Sequence, residues 1–69
     1  MRKTLRAFRK DSGLSADQAA DMLQVSPNTW RNWELGKTAP DAVKIQEIQK
    51  LLGIVFSDII FLPRVTTKN

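Results

Sequence analysis

Only three residues, Gln24, Val25 and Ser26, separate two segments that each carry the marks of a helix, and so short a link forces those helices to cross steeply. Upstream, Ser15 with Gln18 three residues on forms a capping box that starts a helix expected over Ala16 to Leu23. Its inward side is Ala19, Ala20 and Leu23, with Met22 at the margin, and the small alanines let another backbone or a very large side chain come close. Downstream, Ser26 is a good N-cap, Pro27 suits the first helical position, and Gly36 fits the left-handed position just past the end. Within this second helix Trp30 and Trp33 fall three apart on one face, while Asn28, Thr29, Arg31 and Asn32 occupy the remainder.

The outward set has a definite chemistry. Asparagine pairs a donor with an acceptor, matching the N6/N7 edge of adenine; arginine matches O6/N7 of guanine; threonine and proline offer small apolar surface to a thymine methyl. A solvated polar face would have the same composition, so the face alone leaves two readings open. Trp30 and Trp33 could serve as stacking platforms for single-stranded nucleic acid, but their spacing opposite a polar face favours core packing.

Sixty-nine residues make one small domain, close to the lower limit for a self-sufficient core. With no cysteine there is neither a disulfide framework nor a thiolate metal site, and with no histidine the commonest metal ligand and general base are missing. No enzyme, metal or cofactor is therefore expected. No apolar run is long enough to span a bilayer and the first residues lack the apolar core of a signal peptide, which predicts a cytoplasmic protein with no membrane partner. The net charge of +4 is placed unevenly: Arg2, Lys3, Arg6, Arg9 and Lys10 crowd the first ten residues, and the rest of the chain carries six basic against seven acidic groups. Such a local excess suits phosphate contact, with Arg6 and Lys10 as candidates, although an exposed basic helix face gives the same count.

The first helix is expected over about residues 3 to 12, with Leu5 and Phe8 inward and Gly13 ending it. Beyond Gly36 the loop Lys37 to Pro40 leads to Asp41, an N-cap for a fourth helix from Ala42 to Leu52. Val43 or Ile45, Ile48 and Leu51 or Leu52 form its apolar stripe, Lys44, Glu47 and Lys50 its wet side, and Gly53 its stop. Ile54 to Leu62 is mostly apolar and β-branched, fitting a strand or a short helix; because no second strand is apparent to pair with it, a fifth helix over about Phe56 to Phe61 is expected, ended by Pro63. The apolar cluster Phe56, Ile59, Ile60, Phe61 and Leu62 exceeds what so small a core hides, and part of it is expected to form a patch for self-association or another protein. Residues 1–63 are read as the domain and residues 64–69 as a flexible C-terminal tail.

On these residues the chain resembles the XRE-type helix-turn-helix family of Cro and phage repressors. The matching pattern is Leu14-Ser15, Ala20, Leu23, Val25-Ser26, the apolar Trp30 and Trp33, then Glu34, Gly36-Lys37, Pro40 and Leu52-Gly53. The resemblance implies an all-α, lambda-repressor-like domain of five short helices with the helix-turn-helix at helices 2 and 3. It implies sequence-specific binding of a double-stranded DNA operator, by a homodimer in many family members, and the chain looks most like a small Cro-type repressor or antirepressor of a phage switch. It would put Pro27, Asn28 and Asn32 at base edges, Thr29 and Arg31 on bases or phosphates, Lys37 and Thr38 on the DNA backbone, and Arg9 in a structural ion pair with Glu34; Arg6, Lys10 and Ser26 are the further candidates for phosphate contact.

Four departures qualify the resemblance. Ala16 stands where many members have a phosphate-binding glutamine, and Gln24 where glycine is frequent in the turn. Trp30 replaces an aliphatic residue and Ala19 a leucine, which reads as one compensating exchange of volume. Ala16 and the modest net charge keep a second reading open: a protein-binding module on the same scaffold, directed at a partner repressor or a toxin.

Overall fold

The computed structural model describes residues 2–61. Its elements in order are β1 (Lys3–Thr4), α1 (Leu5–Asp11), α2 (Ala16–Met22), α3 (Pro27–Leu35), α4 (Ala42–Leu52), a single 3₁₀ turn (Phe56–Asp58) and β2 (Ile59–Ile60). Every α-helix begins on a side chain that satisfies an orphan backbone N–H: Thr4 accepts from Ala7, Ser15 from Gln18, Ser26 from Thr29 and Asp41 from Lys44. Ser15 and Gln18 form the reciprocal capping box.

Two sequence expectations are corrected. Among the described residues there are four α-helices rather than five, and Phe56 to Phe61 is not a helix: one 3₁₀ turn hands over to a strand that pairs in parallel with β1, Lys3 opposite Ile59 and Thr4 opposite Ile60. The partner was hidden because it is two residues long and lies at the other end of the chain. For the same reason α1 starts at Leu5, two residues later than expected, with Thr4 both ending β1 and capping the helix. Leu62, Pro63 and the tail of residues 64–69 lie outside the described residues.

The core gathers Leu5, Ala19, Ala20, Leu23, Trp30, Trp33, Ile48 and Ile59, so all four helices and β2 contribute. Trp30 is fully buried, as are Ala19 and Ala20 on the facing helix, and its ring meets Trp33 edge-on at 5.8 Å. On α4 the stripe runs through Ile45, Ile48, Leu51 and Leu52, while Val43 is exposed. Lys44, expected on the wet side, lays its stem inward instead: Nζ donates to the Leu23 carbonyl at the end of α2 (2.8 Å) and to Glu47 (3.0 Å).

Candidate nucleic-acid interface

The link between α2 and α3 holds its shape through Gln24, the one non-glycine residue among those described with a positive φ, at 59°. An L-residue in that region crowds its Cβ against the backbone, which is why glycine is common at such turns. Val25 donates its N–H to the Ala20 carbonyl and packs against the core, and Ser26 then caps α3. With both tryptophans buried beneath, Pro27, Asn28 and Arg31 are exposed and Thr29 and Asn32 partly so.

Each expected site residue has a definite place. Ser26 Oγ accepts from Thr29 N–H (3.1 Å) and lies 2.9 Å from Thr29 Oγ1, so both hydroxyls are tied to the helix start. Arg31 Nη2 donates to Asp17 Oδ1 on the first turn of α2 (3.4 Å), with both side chains more than half exposed. Gly36, at φ 78°, turns the chain off α3, and the N–H groups of Lys37 and Thr38 fold back on the Asn32 carbonyl at 3.0 and 3.5 Å. Those two exposed residues are thus held beside the helix end. Lys10 is exposed on α1.

Arg9 and Glu34 have side chains only 10% and 9% exposed and join α1 to α3. Arg9 Nε donates to Glu34 Oε2 at 2.6 Å and Nη2 to Oε1 at 3.4 Å, while Nη1 donates to the Leu14 carbonyl at 2.8 Å. A forked guanidinium–carboxylate pair of this kind fixes orientation as well as charge. Trp30 Nε1 donates to Glu34 Oε2 at 2.6 Å. Sequence reasoning missed this third partner; its signal was the spacing of four residues, which puts Trp30 and Glu34 on adjacent turns of one helix.

Beside this network lies an open cleft of about 380 Å³, lined by Thr4, Arg6, Arg9, Ala16, Arg31, Glu34 and Leu35. It brings Arg6 of α1 and Arg31 of α3 to one place, next to Ala16 at the start of α2.

The apolar C-terminal cluster divides. Ile59, expected in an exposed patch, is 5% exposed and belongs to the core, because parallel pairing with β1 turns alternate side chains to opposite faces. Phe56 and Ile60 are exposed together with Val55, and Phe61 is half-buried with its ring 5.8 Å from that of Phe56.

No helix among the described residues is long and apolar enough to cross a membrane. A helix-turn-helix family model matches residues 5–58, which takes in all four helices and the whole α2–α3 unit. No curated protein and no solved structure matches the chain.

Proposed function

The chain belongs to the helix-turn-helix family, a DNA-binding regulatory domain rather than a family of enzymes, and on that premise we propose that it is a sequence-specific regulator of transcription. It lays α3 in the major groove of a double-stranded operator and acts by occupancy, as a Cro-type repressor or antirepressor of a phage switch. The observation that carries this reading is the division of α3: two tryptophans buried on one side, and Pro27, Asn28, Thr29, Arg31 and Asn32 accessible on the other. Asn28 and Asn32 read base edges together with Pro27, Thr29 and Arg31; Arg6, Lys10, Ser26, Lys37 and Thr38 grip phosphates; the Arg9–Glu34 pair keeps α1 and α3 in register. A homodimer would set two half-sites about one helical turn apart, 34–36 Å.

The test is binding to the duplex upstream of the protein's own gene, against random duplex, at two salt concentrations. Site-selective binding that weakens steeply with salt supports the operator reading, the slope giving the number of phosphates neutralised. Weak, unselective binding at both concentrations rejects it.

The exposed Val55, Phe56 and Ile60 favour a second reading, in which the scaffold binds and modulates a partner repressor or a toxin. A stable complex with a neighbouring gene product in the absence of DNA distinguishes it.

A further inference from the structure

Resting on the DNA-binding reading, we propose that Asp17 is a specificity-determining residue that acts through Arg31, withholding its guanidinium from the phosphate backbone. Arg31 is the one basic residue on α3, and its Nη2 is turned across the α2–α3 angle to Asp17 Oδ1 at 3.4 Å. The other carboxylate on the adjoining cleft, Glu34, is already taken by Arg9 and by Trp30. Asp17 sits in the first turn of α2, where the helix dipole favours an acid, and its side chain is 70% exposed.

The consequence is a divided guanidinium. One edge is engaged by the Asp17 carboxylate, so Arg31 adds little to attraction that any sequence can exploit, and its other donors stay available. A base edge is neutral and can be met by the free edge of the guanidinium without displacing Asp17, whereas a phosphate would have to come up beside the Asp17 carboxylate and is repelled by it. Releasing Arg31 would give it a phosphate on every sequence.

The experiment is a double-mutant cycle, Asp17→Asn and Arg31→Gln singly and together, read on random duplex as the slope of log affinity against log salt. Both side chains are more than half exposed, and circular dichroism checks that each variant folds. Asp17→Asn in the wild-type background should steepen the slope by about 0.9, the value of one added phosphate contact, and lower the ratio of preferred to random affinity. In the Arg31→Gln background the same change should leave the slope where it was. Equal steepening in both backgrounds would mean that Asp17 merely repels phosphate, and would overturn the proposal, as would no change in either. Failure of the wild-type chain to bind any duplex would remove the DNA-binding reading along with it, whereas an unaltered slope with binding intact removes the role of Asp17 alone.

Discussion

Trp30 and Glu34, one turn apart on α3, are joined by a 2.6 Å hydrogen bond that lands on the same carboxylate oxygen that receives Arg9 Nε. The indole and the guanidinium thus share one acceptor, and the buried carboxylate is occupied from two sides. Such a buried pair adds little net stability over an apolar replacement, but removing one partner strands the other's charge.

Glu34→Gln should therefore cost about 3 kcal/mol, since Arg9 stays buried without a counter-charge. Urea unfolding followed by tryptophan fluorescence measures it and reports on Trp30 at the same time. Replacing both Arg9 and Glu34 by methionine should cost less than the sum of the single changes. A single-variant loss below about 1 kcal/mol would mean that the pair does not hold α1 to α3.

Ala19 and Trp30 are both fully buried in one cluster, and their volumes should be coupled. Ala19→Leu alone should destabilise by about 1–3 kcal/mol through overpacking, and Trp30→Leu alone by a similar amount through the cavity and the lost indole hydrogen bond. Combined, the two should recover much of the loss. Strict additivity in thermal melts would show that the indole does not occupy the space that a leucine at 19 would fill.

Gln24 holds a φ of 59°, so Gln24→Gly should stabilise by about 0.5–1 kcal/mol, the relief of the left-handed strain less the added freedom of the unfolded chain. For a domain of this size about 1 kcal/mol moves the melting point by 4–8 °C, well within reach of a calorimetric scan.

At the proposed interface, Asn28→Ala and Asn32→Ala should each cost about 1–3 kcal/mol at the preferred operator and relax base choice there, whereas Lys37→Ala should weaken all sequences alike. Competition binding against a library of duplexes separates the two behaviours. Equal losses on specific and random DNA for all three variants would contradict the assignment of the asparagines to base edges.

Ile59 and Ile60 are neighbours with opposite fates, one in the core and the other 37% exposed. Ile59→Ala should cost about 2–4 kcal/mol, while Ile60→Thr should stay within about 0.5 kcal/mol. Similar losses at both positions in urea melts would argue against the strand pairing.

The limits of α3 and α4 were legible because their signals are local: Ser26-Pro27 and Gly36 bracket one helix, Asp41 and Gly53 the other. The short α2–α3 link was legible too, expected as three residues and found as four, Leu23 to Ser26, because α2 ends at Met22. What could not be read was decided by partners distant in the chain. Two residues at positions 3–4 show no strand signal until Ile59 and Ile60 arrive beside them. Lys44 looks like any solvated lysine until the end of α2 presents the Leu23 carbonyl. At the candidate site the outward residues of α3 were visible as a pattern, but the tie between Asp17 and Arg31 was not, because the two belong to different helices and their approach depends on the crossing geometry.

The short parallel ribbon carries a kinetic consequence. The α2–α3 unit closes over a handful of residues, but pairing Lys3 with Ile59 closes a loop of more than fifty, and the loss of chain freedom on closure grows with loop length. The ribbon therefore has to wait for the helices to bring its strands together, and with so few bonds of its own it is the first structure to open. In native-state hydrogen exchange its amides should lose protection at a lower free energy than those of α3, so that the α2–α3 unit stays assembled while the two ends of the described chain part and rejoin.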